Sequence, residues 1–443
     1  MTAIEIAALL VVLCAVLGWV NHVYVGLPHA IGLLLMGMLG SFGVIAVDSF
    51  IPGLGISQHL NEAVSGIDFY DTVMNGMLSF LLFAAALHVD VKALRTQRNP
   101  IAIMATAGVL VSAGVVGVLL WLVAALGGVD LPLPWALVFG ALISPTDPVA
   151  VLSVLKRTKV PASLQAKIAG ESLFNDGMGV VAFTILLAVA MAYSGMHMPH
   201  GESVVEASGA IDWLHVAEVF GMEVFGALLL GAAAGWLGLK AIRKVDDAAL
   251  ETLITLALVL GTYGLATKLH VSGPIAVVIP GLIMGNWGAN TAMSEDTKAH
   301  LFPFWTMVDE ILNSVLFLLI GLEVLVVRFD AGNAAVALAC IPIVLLARYV
   351  SVSIPASLLK LAGQKLSEGA IRIMTWGGVR GGISVALALS LPESAYKDQI
   401  LAATYVVVVF SILVQGLTIA PLVRRITGRG ELRNGNGGGA VAH

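Results

Sequence analysis

Long apolar stretches alternate with short polar connections along almost the whole chain. Runs of about 20 such residues are long enough to cross roughly 30 Å of hydrocarbon as helices. The pattern predicts thirteen of them, near residues 4–20, 27–47, 72–90, 100–126, 132–155, 164–193, 214–241, 248–268, 271–288, 304–327, 334–359, 369–391 and 396–423. Pro and Gly recur inside these spans, which membrane helices tolerate because neighbouring groups satisfy the freed backbone atoms. The expected fold class is therefore an all-α polytopic membrane protein.

Composition supports that reading. Of 443 residues, 58% are hydrophobic and only 12% charged, about half the charged share of soluble domains. A net charge of −5 leaves no basic footprint for nucleic acid, and that class of partner is excluded. Cys14 and Cys340 lie in apolar stretches without metal-ligand spacing, so neither a disulfide framework nor a zinc site is expected. Met1 to Glu5 carry no Lys or Arg, and the first apolar run is expected to remain as a helix rather than be cleaved as a leader.

The loops give an orientation. Basic residues follow expected helices 3 (Lys92, Arg95, Arg98), 5 (Lys156, Arg157, Lys159, Lys167), 7 (Lys240, Arg243, Lys244) and 11 (Lys360, Lys365, Arg372). With Lys298 and the tail residues Arg424, Arg425, Arg429 and Arg433, this side holds 18, against 3 on the other (Lys268, Arg328, Lys397). Positive charge accumulates on the cytoplasmic side, which predicts an external N-terminus and a cytoplasmic C-terminus. The connections at 48–71 and 194–213 are then external. His197, His200 and Glu202 in the second read as flexible-loop composition as readily as metal ligands. Gly428 to His443 is Gly-rich and expected to be a short disordered tail.

Thirteen helices can divide as six, one and six. The two sets of six would start on opposite sides, so any repeat between them would be inverted, as in many secondary transporters. The fifth helix of each set is also the most interrupted: Ser144-Pro145-Thr146-Asp147-Pro148 in helix 5, and Gly377-Gly378-Val379-Arg380-Gly381-Gly382 in helix 12. Matching breaks at matching positions point to a binding site.

Four ionisable residues fall within long apolar runs: Asp147, Glu171, Asp176 and Arg348. Each costs about 2.5–3.5 kcal/mol at a helix centre, so they require partners or a watered path. At 100° per residue, Ser172 and Asp176 share one helix face with Asn175 at its edge. That face offers carboxylate, hydroxyl and amide oxygens, the hard ligands a small cation requires. Thr146 and Asp147 stand beside two prolines that free backbone carbonyls. Arg380 would balance charge at the helix-12 break or stabilise the break itself. Asp90, beside Lys92, is expected at the interface, and Asp309, Glu310 and Glu323, near the ends of helix 10, are expected to be wetted.

The run Gly170-Glu171-Ser172-Leu173-Phe174-Asn175-Asp176-Gly177 resembles the helix-6 signature of the monovalent cation:proton antiporter family, sodium/proton exchanger branch. Ser144 to Pro148, Leu316 to Glu323 and Trp376 to Gly381 resemble further motifs of that family in its order, with prokaryotic NhaP-type sodium/proton antiporters most similar. The resemblance implies a homodimer in the prokaryotic inner membrane, acting in pH homeostasis. Dimerisation-domain helices would occupy 1–99 and 194–327, core-domain helices 100–193 and 328–426, and the tail 427–443. Helices 5 and 12 would be unwound and cross. By motif position Asp176 corresponds to the ion- and proton-binding aspartate, with Ser172, Thr146, Asn175 and Asp147 as its neighbours. Na⁺ would sit at Asp176, Ser172 and Thr146, while Glu171 and Arg348 match a buried ion pair. Relatives often carry a Glu soon after the Phe ending helix 3, whereas Phe83 here is followed by Ala84, Ala85 and Ala86. In the family, Asn at position 175 goes with electroneutral exchange.

The expected function is antiport of Na⁺, with Li⁺ or K⁺ as alternatives, for H⁺ through competition at Asp176. No resident cofactor is implied, and Na⁺ and H⁺ are the substrates. A cation-selective channel would need a filter loop, and none is evident. An enzyme would need a nucleophile–base pair or a metal centre, and no such arrangement is evident in the helices.

Overall fold

The computed structural model describes residues 3–50, 69–147, 162–196, 213–325, 331–361 and 369–435. Among the described residues the regular structure is entirely helical. Nine helices there are long and apolar enough to cross a bilayer, and Asp71–Leu87 and Leu133–Leu142 are shorter apolar helices. A backbone whose polar groups are satisfied within each segment, with apolar side chains outside, is that of a multi-pass integral membrane protein. Loop residues His197, His200 and Glu202 and the second half of expected helix 5 lie outside the described residues.

The chain forms two compact units. The first comprises residues 1–88, 211–335 and 382–405. Its helix Gly273–Ile283 packs between Leu78–Leu87 and Trp213–Ile242. Trp305 anchors an apolar core with Phe83, Leu87, Val259 and Met284. Its indole N–H donates to Thr255 Oγ1 at 3.0 Å, and the Thr297 hydroxyl donates to buried Glu251 at 3.0 Å. Such pairing satisfies polar atoms that would otherwise be costly in an apolar core.

In the same unit Glu295–Leu322 runs along His29–Phe50. A Cβ on Gly321 would lie 2.7 Å from the Leu34 carbonyl oxygen, so only glycine permits this approach. The close packing corrects one expectation. Glu310 is exposed, but Glu323, expected to be wetted, is only 5% exposed because it follows directly on that tight contact.

The second unit comprises residues 89–210, 336–381 and 406–443. Asp90 is an N-cap here, its carboxylate accepting from Lys92 N at 2.7 Å and opening the short helix Val91–Thr96. Leu133–Leu142 packs on Ala107–Leu126 and on the 32-residue helix Ala162–Tyr193. Trp135 Nε1 donates to Ser194 Oγ at 2.9 Å and pins the end of that long helix. The terminal helix Gly416–Gly435 extends beyond the apolar run and takes in part of the stretch expected to be disordered. Arg424, Arg425, Glu431, Leu432 and Arg433 are good helix formers, which accounts for the extension.

Candidate functional site

Every residue singled out from the intramembrane charges lies in the second unit. Two interruptions build the site. Leu133–Leu142 ends before the first proline, and Ser144 to Asp147 are non-helical. Pro145 and Pro148 cannot donate a backbone hydrogen bond, and each disfavours helix in the residue before it. Ala370–Trp376 stops at Gly377, and the helix resumes only at Gly382. The two irregular stretches meet: Asp147 N donates to the Val379 carbonyl at 2.7 Å. A Cβ on Gly381 would fall 2.9 Å from Asp147 Cβ and 3.0 Å from its Oδ2, so glycine makes room for the aspartate.

Arg380 sits at this meeting point and is 1% exposed. Its Nη1 donates to the Ser144 and Pro145 carbonyls, the latter at 3.1 Å. Its backbone N–H donates to Ser411 Oγ at 2.8 Å. Ser411 donates to Gln415 Oε1 at 2.6 Å, and the Gln415 amide donates to the Trp376 carbonyl at 2.9 Å. A guanidinium therefore gathers carbonyls exposed by one break, while Ser411 and Gln415 bind backbone freed by the other. These two were missed from sequence. Their signal was a pair of polar residues spaced i, i+4 within an apolar run.

The long helix Ala162–Tyr193 supplies the other wall. Asn175 links it to the first break: its Nδ2 donates to Thr146 Oγ1 at 2.8 Å and to Glu171 Oε1 at 3.0 Å, while its Oδ1 accepts from Thr146 N at 3.3 Å. Thr146 Oγ1 and Ser172 Oγ are 3.1 Å apart. Glu171 is held in turn by Arg348, through Nη1 to Oε1 at 2.6 Å and Nη2 to Oε2 at 2.7 Å. Arg348 Nε reaches the Met374 carbonyl at 3.3 Å.

Asp176 differs from these neighbours. It is 6% exposed, and its Oδ1 is buried without a hydrogen-bond partner among the described residues. Arg348 is bonded to Glu171, and Arg380 reaches backbone carbonyls through Nη1 while its Nε and Nη2 are buried without a partner among the described residues; neither guanidinium bonds Asp176 Oδ1. A buried carboxylate needs a counter-charge, a proton or hydrogen-bond donors. Ser172 and Asn175 stand on the same helix as this carboxyl and are bonded to Thr146, the neighbour of Asp147; side-chain oxygens of these types suit a hard cation. Among the described residues no group of three or more His, Cys, Asp or Glu could hold a metal ion.

A multi-span helical membrane protein with two helix interruptions joined beside a buried acidic centre is built like a secondary transporter. The sequence profile of the family described as "Sodium/hydrogen exchanger, transmembrane" matches residues 8–425. The chain belongs to that family. It is 43% identical to the Na(+)/H(+) antiporter NhaP of Pseudomonas aeruginosa over 96% of this chain and 97% of that one. It is 37% identical to the Na(+)/H(+) antiporter NhaH of Halobacillus dabanensis over 81% of this chain and 84% of the relative. The solved structure of the sodium proton antiporter MjNhaP1 from Methanocaldococcus jannaschii shares the fold, with a TM-score of 0.69 at 19% identity, covering 96% of this chain and 99% of that one.

Proposed function

We propose that the protein exchanges Na⁺ for H⁺ across the membrane, both competing for the Asp176 carboxylate. The observation that carries this reading is the buried Asp176 Oδ1, which has no protein donor among the described residues. Thr146, Ser172 and Asn175 form a bonded group of oxygen-bearing side chains from the adjoining turns. The names of the relatives support the choice of Na⁺.

In this mechanism a charged, unliganded Asp176 crosses the hydrocarbon slowly, and either substrate neutralises it. Each substrate then stabilises the conformational exchange between the two sides, and neither is carried with the other. Asp147 and the hydroxyls of Thr146 and Ser172 complete the cation's ligand set. Glu171 and Arg348 neutralise one another and orient Asn175, which in turn holds Thr146. Because one carboxylate takes one cation or one proton, and position 175 is a neutral Asn, exchange is electroneutral. Arg380 ties the irregular stretches of helices 5 and 12 together where they cross.

The same reading places the N-terminus outside and the C-terminus in the cytoplasm of a prokaryotic cell, with inverted six-helix repeats and a homodimeric assembly. Residues 100–193 and 328–426 form the moving core, and 1–99 with 194–327 the dimerisation part. The second compact unit supports this division for 100–193, although residues 382–405 group with the first. Proteoliposome exchange measured over a range of Na⁺ concentrations and pH tests the competition. The apparent KM for Na⁺ is expected to rise as pH falls, with the maximal rate preserved. A KM independent of pH would overturn the shared site.

A further inference from the structure

Away from the acidic centre, the second unit carries a groove of about 590 Å³, a size suited to one small ligand. Three helices form it: Tyr349 comes from Ala331–Leu361, Arg372, Thr375 and Trp376 from Ala370–Trp376, and Thr418, Pro421, Leu422 and Arg425 from Gly416–Gly435. Its wall is largely aromatic and aliphatic. Trp376 is fixed in place because its indole N–H donates to Thr418 Oγ1 at 2.8 Å.

The groove's charge is one-sided. Among the described residues Arg372 and Arg425 are both exposed, no carboxylate lines the groove, and neither guanidinium has a hydrogen bond or ion pair. Tyr349 is 53% exposed on the same surface. An apolar slot with aromatic rings at its side and two uncommitted guanidiniums at its rim matches a molecule with an acyl chain and an anionic phosphate. Arginine binds phosphate through paired N–H donors, and tryptophan and tyrosine favour the depth of the lipid headgroups.

We propose that this groove binds one anionic phospholipid from the surrounding bilayer, its phosphate between Arg372 and Arg425 and its acyl chain along Trp376 and Leu422. None of its lining residues is among those assigned to the ion site, and it does not depend on which cation is carried. It adjoins Trp376, whose carbonyl accepts from Gln415 in the chain that holds Arg380. An occupied groove would therefore brace the segment that precedes the helix-12 break.

The test uses purified full-length protein equilibrated with mixed micelles of phosphatidylglycerol and phosphatidylcholine, with bound lipid counted by native mass spectrometry. Two basic side chains give an anionic headgroup an advantage of roughly 30-fold, at about 1 kcal/mol each. Wild type is expected to retain one more phosphatidylglycerol per chain than Arg372→Gln/Arg425→Gln. Leu422→Trp, which fills the slot and keeps both arginines, is expected to lose the same lipid. Both variants should exchange ions at the wild-type rate in phosphatidylcholine vesicles, which verifies folding. Unchanged phosphatidylglycerol retention in the double variant or in Leu422→Trp would overturn the proposal. So would displacement of the lipid by an equal concentration of glycerol phosphate, which would make the site one for a soluble phosphate.

Discussion

Removing Arg348 tests how the site is held. The side chain is 8% exposed, and its partner Glu171 is 1% exposed. Two charge-assisted hydrogen bonds of 2.6 and 2.7 Å join them. Arg348→Met deletes both and leaves Glu171 buried with a single remaining donor, the Asn175 amide at 3.0 Å. Breaking a buried pair from one side costs about 3–5 kcal/mol, because a charge is left uncompensated. For a unit of this size, about 2–4 °C accompanies each kcal/mol, so the melting temperature should fall by roughly 6–20 °C. Glu171→Gln is expected to be milder, since the amide oxygen can still accept from Arg348 and Arg348 keeps the Met374 carbonyl. The double variant removes both charges and should be more stable than Arg348→Met alone. Thermal unfolding of the four proteins in one detergent closes the cycle. Additive losses, with the double variant the least stable of the four, would refute the claim that the two residues act as a pair.

Three further outcomes follow from the site geometry. Thr146→Val and Ser172→Ala each remove one hydroxyl worth about 1 kcal/mol, so each should raise the apparent KM for Na⁺ about fivefold in proteoliposomes. Gly381→Val places atoms against Asp147, where even a Cβ would lie 2.9 Å from the aspartate Cβ. An overpacking cost of about 1–3 kcal/mol should appear as slowed exchange with the protein still folded by circular dichroism. Imposing a potassium-diffusion potential should leave the wild-type exchange rate unchanged, and a rate that follows the imposed potential would show net charge movement.

The sequence and the structure agree most closely where hydropathy is decisive. The spans read near 164–193 and 214–241 appear as Ala162–Tyr193 and Trp213–Ile242, since a long apolar run in lipid satisfies its backbone only as a helix. The stretch 271–288 appears as Gly273–Ile283 continued by a wider π turn, Met284–Gly288. Such π turns also occur at Asn21–Val25, Asp71–Met77 and Ser411–Gln415. They were not legible because one extra residue in a uniformly apolar run changes no pattern of polar and apolar positions.

The site was partly legible for the same physical reason. Charged residues in a long apolar run are rare enough to stand out, so Asp147, Glu171, Asp176 and Arg348 could be read directly. The spacing of Ser172 and Asp176 gave a shared face. The i, i+4 spacing of Glu171 and Asn175 put those two on one face as well, but it could not show that Asn175 would also bond Thr146, because that contact depends on where the proline break falls. Nor could it show Ser411 and Gln415 beneath Arg380, since they lie 31 and 35 residues further along the chain. The burial of Glu323 was hidden likewise, because it comes from the approach of Gly321 to Leu34.

The most direct measurement of the central claim is sodium-driven proton movement in vesicles containing Asp176→Asn. The amide keeps the size of the side chain but can neither release a proton nor offer a full negative charge to Na⁺. Exchange is expected to vanish while the protein remains folded and keeps its thermal stability. Exchange at the wild-type rate in that variant would contradict the account.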